Sequence, residues 1–556
     1  MIIALVHGYL LRGTGSNLYV SNLCRAFCRQ GHRVLLFSQE YKPEEIDFIS
    51  RGETFYEDNL RTAVEFKRST AYPGECLHYR PHLGGLLPVY VYDRYPGFEV
   101  KEFPDLSERE LENYLERNRL ALETVLRNET PDLVISQHTI MQPVYTARAL
   151  AGLYKKDGRH LVTVHGSALN FSVRKSNFLR GRAVEGINNA DGLVFVSSHS
   201  RADFTAYFAG LPGLEEKCRV IFAGVNTGLF QPLKHPDEKG EQITELNSRL
   251  RKVAAEKNSG RSAQEKEEFY NSLQDSSTAE EIRELIAGFR NRSDDWAPDQ
   301  DASGELKEIN WAEEKIVLYY GKYLWTKGIH LLLGAMPLVL QKYPQTRLIL
   351  VGFGAAREYL EAITGVLDQG RVELALEMIA NPGSFGFEGV SKNNYSEDLF
   401  KLLSDPREAS KYRDACEGKI SQQVIFTGIM DHEELRMLIP CADVAVAPSI
   451  FPEAFGLVGV EALACGVLPV QTYHSGFADV VDVYEENFRD VFKAAGIKHL
   501  TLDEKLVPGL ASNITALLGY LEKITIEERS HLAHRAHRLA EEHFSWTKIA
   551  ESYLEA

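Results

Sequence analysis

The chain is short of several things that would place it quickly. No apolar run among its 556 residues approaches the roughly 18 to 20 needed to span a bilayer. The opening Met-Ile-Ile-Ala-Leu-Val-His lacks the basic segment and long apolar core of a secretory leader and reads as a first buried strand. Cysteine is sparse: 7 residues, an odd number without Cys-x-x-Cys spacing, which fits buried thiols in a reducing compartment better than a disulfide framework. Cys24 and Cys28 fall one helical turn apart, where small apolar packing is the expected role. Positive charge is also scarce. With 62 Lys and Arg against 78 Asp and Glu the net charge is -16, which argues against broad affinity for a phosphate backbone. Nucleic acid is therefore not an expected partner, and the cytoplasm is the expected compartment. The sequons at Asn128 and Asn513 are then chance matches. No solenoid-period repeat and no Gly-x-Ser-x-Gly elbow is present.

What remains is the composition of a soluble globular protein, 44% hydrophobic and 25% charged, with a length that predicts two or three domains. Short apolar runs alternate with amphipathic helical segments, the pattern of parallel α/β construction. Strands are predicted at 2–6, 33–38, 133–136, 161–164, 193–196 and 219–222, then at 315–320, 347–351, 423–426, 444–447 and 467–471. Two such series fit two Rossmann-like, doubly wound domains, with ligands expected at the carboxyl ends of the strands in a cleft between them. The predicted boundaries are 1–232 for the first domain, 233–310 for a polar linker or insertion and 311–539 for the second domain. A C-terminal helix at about 540–556 is predicted to brace the first domain. The insertion, rich in Glu, Lys, Ser, Asn and Gln, is expected to be exposed, helical or partly disordered, and dispensable for chemistry. A second polar insertion is expected at about 365–421.

Glu453 and Glu461 stand eight residues apart around a glycine-containing turn. A strand is predicted to end near Ser449 and a helix to begin near Phe455, so Glu453 lies in the loop and Glu461 about two turns down the helix. The amides of Phe455, Gly456 and Leu457 would form an anion-ready terminus pointing the same way. Amides for phosphate, one carboxylate for sugar hydroxyls and one for ribose suit a nucleoside diphosphate-sugar; ordinary solvated glutamates are the alternative. Gly13-Thr14-Gly15-Ser16-Asn17 follows the first strand, where glycine lets a phosphate or sugar approach a helix N-terminus, although tight turns use glycine structurally too. His165, in Thr163-Val-His-Gly166, directly follows a strand and should face the site; His138 is similarly placed. Lys322 and Lys327 are five residues apart beside a glycine-flanked helix start. Arg174 and Lys175 open a basic cluster that would hold a phosphorylated or anionic-lipid acceptor, with a plain solvated loop as the equal alternative. Asp299-Gln-Asp301 has the form of a metal-binding pair but no strand before it, and reads as acidic linker. His531, His534 and His537 recur at helical spacing and read as a solvated face rather than a metal site.

In order and spacing these segments resemble the retaining GT-B glycosyltransferases of family 4 (glycosyl transferases group 1). The resemblance rests on Glu453-x7-Glu461, His165-Gly166, Gly321-Lys322-x4-Lys327-Gly328 and the opening glycines with Gly31-His-Arg-Val. It also rests on Gly224-Val-Asn226…Phe230-Gln-Pro232, Val351-Gly-Phe353-Gly354, Phe426-Thr-Gly428 and the tail Glu542-His-Phe544-Ser-Trp546. It covers both sheets and leaves the insertions out. This chain departs from the family at Lys322, where Arg is common and the bidentate fork is lost, at Asn226 for Asp, and at Phe353 for an acid.

The resemblance implies a cytoplasmic hexosyltransferase-type enzyme that moves a sugar, with retention, from a nucleoside diphosphate-sugar to a hydroxyl on a glycan, lipid or small molecule. It implies no cofactor and no metal. His165, Lys327 and Glu453 would be catalytic. Gly15, Lys322, Lys327, Glu453, Phe455, Gly456, Leu457 and Glu461 would bind the donor, and the nucleotide base would lie against the loop at Gly428. His138, Arg174 and Lys175 would face the acceptor, which leaves room for peripheral membrane contact. The alternative is a nucleotide-sugar-binding regulatory protein without turnover; a phosphorylase or epimerase on the same fold is a third reading. Donor base, sugar, acceptor and oligomeric state are not legible in the sequence.

Overall fold

The computed structural model describes residues 1–13, 15–90, 95, 97–153, 158–257, 260–290, 297–387 and 390–556. Thr14 of the glycine turn and parts of both polar insertions lie outside the described residues. The chain forms two compact units, Met1–Gly224 with His543–Ala556, and Val225–Glu542.

The first unit contains β1 (Ile2–Val6), β2 (Arg33–Phe37), β3 (Arg51–Phe55), β4 (Thr62–Lys67), β5 (Glu75–Arg80), β6 (Leu86–Val89), β7 (Glu99–Glu102), β8 (Leu133–Gln137), β9 (Arg159–Val164), β10 (Gly192–Phe195) and β11 (Cys218–Val220). Nine of them form one sheet in the order β11-β10-β9-β8-β1-β2-β5-β3-β4, parallel throughout except for the β3–β4 pair. Ile3, Ala4, Leu5, Leu133, Val134 and Ile135 are fully buried, as expected of central parallel strands covered on both faces. The helix Gly15–Arg29 turns Val20, Leu23, Cys24 and Phe27 inward at helical spacing, so both cysteines of this helix are core residues. All seven cysteines are free and buried. The final helix, Trp546–Glu555, belongs to this unit. Its buried Tyr553 shares hydroxyl hydrogen bonds with Tyr19 (2.9 Å) and Thr163 (2.7 Å).

The second unit contains β12 (Lys315–Tyr320), β13 (Thr346–Val351), β14 (Val424–Phe426), β15 (Val444–Ala447) and β16 (Pro469–Gln471). Their order is β14-β13-β12-β15-β16, all parallel. The chain runs outward from β12 to β14, then returns to the other side of β12 as β15. Between β12 and β15 the winding reverses, the place where open parallel sheets bind ligands at the carboxyl ends of their strands.

The structure corrects the expectation of an exposed, linker-like insertion. The segment after 233 forms helices Lys239–Lys257, Ala263–Asp275, Ala279–Phe289 and Ala302–Glu308, which bury Leu246, Leu250, Phe269, Leu273, Ile282 and Ile286. Asp299 is no solvated linker residue. It is fully buried and bound bidentately by Arg357 (2.7 and 2.5 Å), with Lys266 at 3.1 Å. Arg357 also meets Glu361 (3.2 Å), and Glu361 meets Arg261 (2.7 Å). Burial would raise the Asp299 pKa, but Arg357 and Lys266 hold it below the usual carboxylate value. The 365–421 insertion is likewise folded in, with Val372, Met378, Ile379, Leu399 and Tyr412 buried. Nor are the three tail histidines all solvated: His537 Nδ1 bonds the Ala464 carbonyl at 2.6 Å.

Removing one partner of such a cluster leaves an uncompensated buried charge. Asp299→Ala should therefore cost roughly 3–5 kcal/mol, measured by urea unfolding. A change below about 1 kcal/mol would mean that water replaces the carboxylate. Excising 234–310 with a short linker should abolish the cooperative melt of the second unit, and an unchanged melt would restore the view of the insertion as an appendage.

Candidate functional site

In the second unit, two loops meet across the winding reversal. After β12 the chain turns through Trp325–Lys327 into the helix Ile329–Lys342, whose cap Gly328 has a left-handed φ of 70°. A Cβ at 328 would run into the Pro448 carbonyl oxygen, so only glycine lets this helix start lie against the loop that follows β15. Ile450 N donates to the Thr326 carbonyl (2.9 Å), which ties the loops together by backbone. Lys327 Nζ then lies 2.5 Å from Glu453 Oε1. Ser449 Oγ donates to the same oxygen at 2.7 Å. Ser475 Oγ accepts from Glu453 N (2.9 Å), and His474 Nε2 lies 2.8 Å from the Ser449 carbonyl. Both members of the ion pair keep partial exposure, 31% for Lys327 and 20% for Glu453.

The helix after Glu453 runs Leu457–Ala464 with Gly456 as its cap and no side chain capping it. Its free end therefore begins at Leu457, two residues later than the sequence predicts. Phe455 precedes the cap with its ring buried, and the first amides of the helix, at Leu457 and Val458, have no intrahelical acceptor. Glu461 lies in the following turn, 3.8 Å from His432 Nε2. Burial pushes its carboxyl up to about 8. Lys322 is exposed; its carbonyl accepts from Tyr319 Oη at 2.9 Å.

In the first unit, His7, His138 and His165 follow β1, β8 and β9 and gather at the carboxyl edge of the sheet. The His138 ring lies 4.8 Å from His165 and 6.0 Å from His7 between centroids, with Tyr90 at 4.5 Å. His7 Nε2 meets Asn17 Oδ1 at 2.8 Å, which anchors the helix that begins at Gly15. His165 Nε2 meets Gln137 Oε1 at 2.9 Å. Neither ring nitrogen of His138 has a hydrogen-bond partner among the described residues. Burial lowers all three pKa values, to about 4 for His7 and about 3 for His165, and well below the ordinary value for His138, with the other two histidines adding to the effect. At neutral pH the cluster is uncharged. The basic cluster is largely spent on neighbours: Arg174 pairs with Asp203 at 2.7 Å, while Arg182 pairs with Glu185 at 2.9 Å and also with Glu112. Lys175 is exposed.

Sequence reasoning missed Ser449 and Ser475, which hold Glu453, and His432, which faces Glu461; nothing in their local spacing marks them. His7 carried the same signal as His165, a histidine directly after a buried strand. Among the described residues no group of three or more His, Cys, Asp or Glu is placed to hold a metal ion, and no helix is long and apolar enough to cross a membrane.

The family described as Glycosyltransferase Family 4 matches residues 13–229, and the family Glycosyl transferases group 1 matches 305–371 and 396–494. The chain is 24% identical over 230 residues to an uncharacterised glycosyltransferase of Methanocaldococcus jannaschii, covering 38% of this chain and 45% of that protein. It is 23% identical over 256 residues to spore coat protein SA of Bacillus subtilis, covering 46% and 52%. The chain thus spans about half the length of these relatives. The catalytic domain of starch synthase IV from Arabidopsis thaliana, bound to ADP and acarbose, shares the fold with a TM-score of 0.51 at 14% identity, over 100% of this chain and 98% of that one. With one family matching the first sheet and the other the second, the chain belongs to the GT-B glycosyltransferases of family 4, glycosyl transferases group 1.

Proposed function

We propose that this chain transfers a sugar from a nucleoside diphosphate-sugar to a hydroxyl acceptor, with retention at the anomeric carbon. The observation that carries this reading is the Lys327–Glu453 pair at the winding reversal, beside the uncapped helix end at Leu457. A cation and free amides attract a diphosphate, while a carboxylate next to them accepts from sugar hydroxyls. Both bonds to Glu453 fall on Oε1, which leaves Oε2 to take a hydroxyl. The acceptor oxygen attacks the anomeric carbon as its bond to the phosphate oxygen breaks, and the sugar passes through oxocarbenium character. Negative charge grows on the departing diphosphate, where Lys327, Lys322 and the amides of Leu457 and Val458 stabilise it. The acceptor proton passes to the departing phosphate oxygen on the same face of the sugar. Glu461 accepts from the ribose. Because Arg174 is committed to Asp203, an uncharged hydroxyl acceptor suits the first unit better than an anionic one.

Lys327→Ala removes charge where it grows most, so kcat should fall on the order of 100-fold or more with a smaller change in donor KM. A silent substitution would sink the assignment.

Glu461→Gln keeps shape but weakens a contact present in ground and transition states alike, and should appear mainly as a raised donor KM. The wild-type carboxyl holds its proton up to about 8; a ribose that needs the carboxylate displaces that proton, so donor KM should fall as pH rises toward 8. The Gln variant should lack this slope. Stability runs the other way. The folded pKa lies above the unfolded value of 4.5, so the contribution of Glu461 is full below 4.5 and is lost as pH rises through 8. Melting the two proteins at pH 5 and pH 9 should show the Gln variant gaining on wild type at the higher pH, and parallel pH dependences would refute the buried acid.

Since lysines and amides carry the positive charge, transfer should survive exhaustive chelation of divalent ions. Loss of turnover restored by Mg2+ or Mn2+ would require a different source of charge stabilisation.

A further inference from the structure

The 234–310 insertion lies almost entirely between the family matches, which end at 229 and resume at 305, yet it grips one loop of the second unit from both ends. That loop, 427–432, runs from β14 into the first residue of the helix His432–Leu438. At its start, Asp299 N donates to the Thr427 carbonyl (2.9 Å), Pro298 bridges Gly428, and Lys266 Nζ reaches the Phe426 carbonyl at 3.3 Å. Gly428 has a φ of 70°, and a Cβ there would meet the Ala297 carbonyl and Asp299 N, so this residue is fitted to the insertion. At the far end, Arg249 pairs with Glu434 and lies 3.8 Å from Asp431, while Gln242 Nε2 donates to the carbonyls of Arg436 and Met437, both at 3.3 Å.

The loop so held borders the site. The Gly428 carbonyl accepts from Gly352 N at 2.9 Å, which joins it to the turn after β13. Its last residue, His432, faces Glu461 at 3.8 Å. We propose that the insertion is a clamp that presets loop 427–432 for the nucleoside half of the donor, with Asp299 and Arg249 as positioning residues. This rests on the reading of the second unit as the nucleotide-sugar site. A loop without anchors at its ends would be ordered at the expense of binding, and the two anchors remove that cost in advance. The diphosphate half, held by Lys327 and the Leu457 turn across the winding reversal, does not depend on the clamp.

The test is calorimetric titration of UDP, ADP, GDP and inorganic pyrophosphate into wild type, Asp299→Asn and the double variant Arg249→Met with Glu434→Gln. The double variant leaves no unpaired buried charge, and Arg249 is 40% exposed, so it decides the matter if Asp299→Asn fails to fold. We expect the nucleoside diphosphate that wild type binds to weaken on the order of tenfold in the folded variants, while pyrophosphate changes by less than about twofold. Unchanged nucleoside diphosphate affinity would overturn the clamp and leave the donor reading intact. Equal losses for both ligand types would also overturn it, as general loosening. If wild type binds none of the three nucleoside diphosphates, the donor reading fails and the clamp with it.

Discussion

A parallel sheet cannot join neighbouring strands by hairpins, so every connection crosses over a face and every strand-to-helix loop emerges at the same edge. The site geometry depends on that constraint. In the second unit it brings Lys327 and Glu453 within 2.5 Å although 126 residues separate them in the chain. The pair forms there because β12 and β15 are neighbours wound in opposite directions, which brings their loops side by side without a helix covering them. The first unit repeats the device: β1, β8 and β9 are adjacent, and each ends in a histidine of the cluster. Function-bearing residues are thus collected by topology, and local sequence supplies only the side chain.

Burial sets opposite electrostatic characters for the two collections. The histidines lose their charge because desolvation outweighs what hydrogen bonds such as His7–Asn17 return, so the first unit presents neutral donors and acceptors among tyrosine rings. Lys327 and Glu453 keep partial exposure and each other, and the second unit presents charge. Glu461 lies between these cases, a carboxyl with His432 at 3.8 Å that favours its neutral form until a ligand or a higher pH draws the proton off. Neutral polar groups suit hydroxyls, whereas a lysine beside free helix amides suits phosphate.

Much of this was legible in the chain. The central strands were readable because each is a short apolar run bounded by turn residues, and Lys327, Glu453, Glu461, His138 and His165 could be placed by their distance from those runs. β3 to β7 were not readable. β4, Thr62–Lys67, is a polar edge strand with no fully buried position, so it lacks the period that marks a half-buried strand. The apolar stretch that follows Glu453 predicts a helix start near Phe455, but the left-handed Gly456 delays the helix to Leu457. One partner of Glu453, Ser475, comes from a segment 22 residues on, a distance over which spacing carries no signal.

The largest misreading, the insertion, shows where composition fails as a guide. Polar composition predicts solvation, because a charged side chain is seldom buried alone. Here the charges are buried together. Asp299, Arg357, Glu361 and Arg261 pair with one another inside the second unit, and no single residue in the group reveals this. An apolar cluster of equal volume would serve stability as well or better, since desolvating ions offsets much of their attraction. What ions add is direction. A bidentate carboxylate–guanidinium pair admits one relative orientation, so Asp299 fixes residues 297–301 against the helix Arg357–Asp368 to within hydrogen-bond geometry. A segment held to that tolerance can in turn hold Gly428, whereas greasy packing would let the register slide.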